Sequence, residues 1–216
     1  MKKSEILHEE ENRKIQQLFR VQMLIDVIYG LTIFQLFRML PKPSQEHIEE
    51  KALMKMFAES GTTLGIMLVG IILTLTYWSQ SNRQFGYLKK SDNRHAVLAI
   101  VQMLCILIYL YFMGLENQTE GLEITLIMQS IFLALAGFIG VFSWNYADRN
   151  KFFIESMTKK KSIEIMYSFL SEPIAATLTI PFALFGSDWY MIGWLIVIPL
   201  GIILKRRKKK KLATLE

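Results

Sequence analysis

The stretch that decides the fold is residues 20–41, RVQMLIDVIYGLTIFQLFRMLP. It is long and apolar enough to cross a bilayer, which takes roughly 20 residues. It nevertheless carries Arg20, Gln22, Asp26, Gln35 and Arg38. Hydrocarbon rejects such side chains unless they face protein or water, and ionisable groups at membrane depth mark a pathway or a structural pair. On a helix turning about 100° per residue, Arg20, Leu24, Val27, Leu31, Gln35 and Arg38 share one narrow stripe. Gln22, Asp26 and Tyr29 fall nearly opposite, with Thr32 between. The two polar sets therefore face different environments. The first stripe reads as the lining of a water-filled path, and Asp26 as a hydrogen-bond anchor holding the helix to its neighbours. Arg38 has two readings: it faces the path, or it snorkels to the outer surface.

Composition supports a membrane setting. Of 216 residues, 52% are hydrophobic, and the mean hydropathy is +0.29, high for a soluble domain and typical of a polytopic membrane protein. The single cysteine, Cys105, lies in an apolar run, which excludes a disulfide framework and a paired-cysteine metal site. The first twenty residues are too charged to hold the apolar core of a secretion signal.

Six apolar segments are predicted, near residues 21–40, 62–80, 97–115, 122–144, 165–185 and 189–204. They divide the chain into an amphipathic N-terminal helix over 1–20, a six-span domain over 21–204 and a basic tail over 205–216. The fold class is an all-α integral membrane protein. Loop charge tests the count. Lys and Arg crowd the N-terminus (Lys2, Lys3, Arg13, Lys14), the second loop (Arg83, Lys89, Lys90, Arg94), the fourth loop (Arg149, Lys151, Lys159, Lys160, Lys161) and the tail from Lys205 to Lys211. The first loop is diluted by Glu46, Glu49, Glu50 and Glu59, the third carries Glu116, Glu120 and Glu123, and the fifth only Asp188. This alternation is what the positive-inside rule requires of six spans with both termini cytoplasmic. The net charge of +6 is thus a topology signal, and the KRRKKKK run reads as a stop-transfer element touching anionic lipid, not as a nucleic-acid patch.

Glu172, beside Pro173 in the fifth segment, is a second possible intramembrane acid. It reads as an ion or proton site, or as a structural partner of Arg20 or Arg83. Thr177 and Thr179 are expected to bond back to their own helix. Gly65, Gly70, Gly137 and Gly140 suggest close helix packing. Trp78, Trp144, Trp189 and Trp194 fall near span ends, as interfacial aromatics do. Signatures of catalysis are missing: His8, His47 and His95 are scattered, and no Walker A, GxGxxG, GxSxG or HExxH occurs. An enzyme, a cofactor and a metal site are therefore not expected. His47-x-Glu49-Glu50 has the residue types to bind a metal but is read instead as the solvated face of a short helix over 44–59.

Two patches carry a resemblance. Arg20-x-x-x-Leu24-Ile25-Asp26 resembles the Arg-x-x-x-Phe-Ser-Asp signature in the first span of the transmembrane protein 175 family of potassium channels. The following VIYGLTIFQL is similar to that family's GVFAIAITLL. Tyr77-Trp78-Ser79-Gln80-Ser81-Asn82-Arg83-Gln84-Phe85 resembles its Tyr-Trp-x-Asn-His-His-Arg-Leu-Phe, and Asp92, Trp144 and Tyr146 fall where similar residues are expected.

The resemblance implies a homotetramer whose first helices line a central pore narrowed by a ring of apolar side chains. It implies passive potassium transport through a bacterial inner membrane. It puts Leu31, Gln35 and Arg38 along the pore, a lining that the helical projection extends to Leu24 and Val27, and Arg20 and Asp26 in the network behind it, to which Gln22, Tyr29 and Trp78 are added. The departures are also informative. The Phe and Ser of the signature are Leu24 and Ile25, and two later apolar pore positions are Gln35 and Arg38. Four Arg38 guanidiniums repel cations, which weighs against potassium selectivity. No TVGYG-like filter occurs. The alternative expectation is a membrane-embedded sensor, or a defence or stress component, that conducts only when triggered or not at all.

Overall fold

A computed structural model of the chain describes residues 2–38, 40, 50–119 and 121–213. Among these residues the protein is all helical. The helices are α1 (Lys2–Phe37), α2 (Glu50–Glu59), α3 (Gly61–Gly86), α4 (Asn93–Gln118), α5 (Glu123–Arg149), α6 (Lys159–Ser168), α7 (Ser171–Ala183), α8 (Ser187–Gly193) and α9 (Val197–Ala213), with a 3₁₀ turn at Trp194–Ile196. Residues 41–49 lie outside the described residues. So do Glu46, His47 and Glu49, and with them the first part of the helix expected over 44–59.

Among the described residues, five segments are long and apolar enough to cross a membrane: His8–Phe37, Thr63–Gly86, Asn93–Glu116, Glu123–Arg149 and Ser187–Ala213. The fifth segment expected from sequence, 165–185, is broken into α6 and α7. Pro173 accounts for the break. In one continuous helix its ring would collide with the carbonyl four residues back, whereas at the third position of a new helix its missing N–H costs nothing. The 13 residues of α7 extend only about 20 Å at 1.5 Å per residue. The N-terminal helix, by contrast, continues across residue 20 without interruption, so no boundary separates it from the first apolar segment.

The basic segments gather at one end of the bundle. Leu88 and Phe153 form an antiparallel bridge between the α3–α4 and α5–α6 connections, extended by Lys89 N–H to the Phe152 carbonyl at 2.8 Å and Ile154 N–H to the Tyr87 carbonyl at 3.0 Å. The same end grips α1: Ser91 N–H donates to the Lys14 carbonyl at 3.0 Å, and Lys90 pairs with Glu11 at 3.0 Å. The Lys90 ammonium holds the Glu11 carboxyl below its usual range. Lys208 of α9 reaches Glu164 of α6 at 3.7 Å. At the other end the α4–α5 and α7–α8 turns meet: a Cβ at Gly121 would lie 3.3 Å from Ser187 Cβ, and Gly121 has a φ of +78 that favours glycine.

Helix α4 packs along α5, α5 along α7, and α1 against both α3 and α4. Glycines set two of these approaches. A Cβ at Gly137 would sit 2.7 Å from the Pro173 ring, and one at Gly140 would sit 2.7 Å from Gln102 Nε2. Gly70 lies equally close to Met113 and Leu36, whereas Gly65 has no neighbour within 4 Å. Trp144 departs from the interfacial expectation. It is buried, donating Nε1–H to the Ser162 carbonyl and Oγ, each at 3.2 Å, and packs on Phe153 with ring centroids 4.6 Å apart.

Candidate pore face and its anchor

Helix α1 is covered on one side only. Leu18, Val21, Ile25, Tyr29, Thr32 and Leu36 are buried against α3 and α4. They recur at helical spacing, and with β-branched and aromatic side chains they fill the seam that α3 and α4 leave. Every member of the opposite stripe, Arg20, Leu24, Val27, Leu31, Gln35 and Arg38, is exposed within the subunit. Leu31 is 57% exposed while Tyr29, two positions away, is 2% exposed. Beside this stripe runs a second uncovered ridge made of Phe19, Met23, Gly30, Phe34 and Phe37. Its one polar member is Asp26, which is also exposed, so α1 presents two unlike open strips.

The anchor is made by α3. Trp78 Nε1–H donates to Asp26 Oδ1 at 2.9 Å. The Tyr29 hydroxyl and Ser81 Oγ are 3.2 Å apart and buried. These two bonds join Asp26 and Tyr29, one turn apart on α1, to Trp78 and Ser81, one turn apart on α3. Gln22 is half-buried beside them and makes no hydrogen bond among the described residues. Arg20 is exposed on the rim of an open groove with Gln16, Gln17 and Asn93. It does not reach Asp26 or Glu172.

At the far end of the stripe Arg38 Nη1 donates to Gln35 Oε1 at 3.4 Å, so the two polar members touch. Thr32 returns its hydroxyl to the Ile28 carbonyl at 2.7 Å. Glu172 lies away from the stripe, on the first turn of α7, where Gln80 Nε2 donates to its Oε2 at 3.3 Å. Neither Arg20 nor Arg83 pairs with it. Thr177 and Thr179 bond back to the carbonyls of Pro173 and Ala176, each at 2.8 Å, and Thr179 also meets Ser130 at 3.0 Å.

Three features lay beyond the sequence reading. Asp92 caps α4 by accepting from His95 N–H at 2.8 Å, and its other oxygen accepts from the Tyr146 hydroxyl at 2.6 Å. His95 is buried, with Nδ1 2.9 Å from Ser91 Oγ. A small cavity of about 10 Å³ behind α1 is bounded by Tyr29, Ser81, Gln84, His95, Gln102 and Ser143. The spacing of His95, Ala99 and Gln102 on one face of α4, with Ser91 just before the helix, is the signal that this face turns inward. Among the described residues no group of three or more His, Cys, Asp or Glu side chains is arranged to hold a metal.

An all-helical bundle with one helix open along a mixed polar and apolar stripe is the architecture defined here. No protein-family model and no curated protein sequence matches the chain. Its fold, however, is similar to solved channel structures. A variant of the potassium channel MtTMEM175, solved with a nanobody fusion protein, superposes with a TM-score of 0.68 at 12% identity over 88% of this chain and 93% of that one. A lysosomal potassium-selective channel TMEM175 homolog from Chamaesiphon minutus superposes with a TM-score of 0.66 at 12% identity, over 88% of this chain and 98% of that one. The chain therefore has the TMEM175 channel fold along almost its whole length.

Proposed function

We propose that this chain is one subunit of a homotetrameric ion channel in a bacterial inner membrane, with both termini cytoplasmic and the four α1 helices around the conducting axis. The observation that carries the reading is the uncovered stripe of α1, in a fold whose solved relatives are potassium channels. The subunit crosses the membrane six times. The short α7 serves as the fifth crossing together with the break before it. A broken helix at membrane depth is tolerated where neighbours satisfy its backbone, and α5 flanks α7 along its length. The basic ends of α1, α3, α4, α5 and α9 share one face of the bundle, which under the positive-inside rule is the cytoplasmic face.

Ions pass along Leu24 and Val27 to a constriction made by four Leu31 side chains, which closes by dewetting. Gln35 amides follow, and Arg38 stands at the outer mouth. The permeant species is a monovalent cation, with potassium favoured by the structural relatives. Asp26, Trp78, Tyr29 and Ser81 fix the rotation of α1, so the stripe keeps its aim. Reconstitution in proteoliposomes tests this directly: a potassium gradient should drive cation flux, and its absence at all voltages would overturn the conducting reading.

Arg38 favours a second reading. Its partner Gln35 is a neutral amide, so the guanidinium brings its charge to the mouth. On that reading the same scaffold conducts only when a trigger neutralises or moves the ring, as a sensor or stress component would.

A further inference from the structure

Two cavities meet at Ser168, where α6 ends. The larger, about 500 Å³, is walled by Ile72, Leu75 and Phe169 and has Gln80 and Arg83 at its polar end. The smaller, about 250 Å³, lies between the α6–α7 break and α9, and is bounded by Tyr167, Ser168, Ser171, Lys205 and Lys208. We propose that this joint groove holds the headgroup of one anionic phospholipid from the cytoplasmic leaflet. Its phosphate would sit at the Ser168 junction between Arg83 and Lys205, with its acyl chains along Ile72 and Leu75.

Charge and shape both favour that occupant. Arg83 and Lys205 are exposed, and neither has an ion-pair partner among the described residues. Neither nearby acid pairs with Arg83 or Lys205. Glu164 is shared by Lys161 and Lys208, each at 3.7 Å, and Glu172 accepts from Gln80. Ser171 brings a hydroxyl to the smaller cavity, while the Ser168 hydroxyl donates to the Ile165 carbonyl at 2.6 Å. The walls beyond are exposed aliphatic side chains, Ile72 at 64% and Leu75 at 44%, which suit fatty chains and not a water-soluble anion. Basic pockets between spanning helices on the cytoplasmic side are a recurrent mode of anionic-lipid recognition. The helix break makes the pocket: one continuous helix over 165–185 would fill it.

The inference rests on the membrane topology of the proposed function but not on conduction. It is tested on the full chain in detergent by native mass spectrometry, titrating phosphatidylglycerol, phosphatidylcholine and inorganic phosphate in parallel. One phosphatidylglycerol per subunit should be retained over phosphatidylcholine. Arg83→Gln and Lys205→Gln should each weaken retention about fivefold, the equivalent of about 1 kcal/mol for one base near the membrane surface. Lys205→Arg should keep it, and Lys209→Gln and Lys210→Gln should leave it unchanged, with gel-filtration profiles the same throughout. Equal losses from Lys209→Gln would mean diffuse attraction to the tail and would overturn the site. So would equal retention of both lipids. Displacement by inorganic phosphate at similar concentration would point to a free anion and also overturn the lipid assignment. Loss of ion flux with the lipid preference intact would count against the channel reading alone.

Discussion

Trp78 of α3 donates its indole N–H to the Asp26 carboxylate of α1 at 2.9 Å, from a position 40% exposed on the subunit's surface. The bond turns an acid inside an apolar helix into a fixed point. Hydrogen bonds between membrane helices average about 0.6 kcal/mol and reach about 1.7 kcal/mol. A double-mutant cycle of Asp26→Ala with Trp78→Phe should therefore give a coupling energy of about 0.6–1.7 kcal/mol in denaturant titrations of the detergent-solubilised protein. Additive losses would mean the two side chains do not act together.

Leu31 is the second test. If four Leu31 side chains form the proposed constriction, Leu31→Ala widens it and lowers the barrier to wetting. Single-channel conductance in planar bilayers should rise. An unchanged conductance in a variant that still assembles would remove Leu31 from the narrow point.

Arg38 bears on selectivity. On the proposed pore axis, Arg38→Gln removes four positive charges from the outer mouth, so the reversal potential under a salt gradient should move toward the cation equilibrium potential. No movement would put the guanidinium at the lipid surface, where it snorkels.

Tyr77 makes a less intuitive prediction. Its ring is 1% exposed, and its hydroxyl has no hydrogen-bond partner among the described residues. An unsatisfied buried hydroxyl costs about 1–3 kcal/mol. Tyr77→Phe should leave stability unchanged or raise it, read as the midpoint of denaturant unfolding. A clear loss would mean that the hydroxyl is bonded in the membrane.

Gly137 faces the Pro173 ring, with a hypothetical Cβ 2.7 Å from it. A pyrrolidine ring cannot swing aside as a long side chain can. Gly137→Ala should therefore destabilise the α5–α7 contact by about 1–3 kcal/mol, the usual cost of overpacking. The same change at Gly65, which has open space around it, should cost no more than a small fraction of that. Thermal unfolding of the two variants gives the comparison.

What the sequence made legible follows from local rules. The period of α1 separates Leu31 from Tyr29 without knowledge of any neighbour, because the helix turns by a fixed angle per residue. The alternation of Lys and Arg along the chain likewise anticipates which connections meet at one end. The break before α7 was written in Pro173, but proline alone does not say whether a helix bends or stops. The partner of Glu172 was not legible. Gln80 is 92 positions away in sequence, and whether α3 turns Gln80 or Arg83 toward the acid depends on the rotation of a helix whose faces are both largely apolar. Trp144 was misplaced for a similar reason: its burial comes from two loops pairing through Leu88 and Phe153, a long-range contact with no local signature.

The unbroken course of α1 makes it a drive shaft. Its 36 residues extend about 54 Å at 1.5 Å per residue, well beyond the roughly 30 Å of hydrocarbon in a bilayer. The grip of Ser91 on the Lys14 carbonyl therefore sets the azimuth of Leu31 through a rigid body. In the proposed tetramer, any protein or ligand that twists the exposed end would deliver torque to the Leu31 ring without touching the membrane. Inserting one residue between Lys14 and Arg20 would turn the whole lining by about 100°, exchanging one open strip of the shaft for the other.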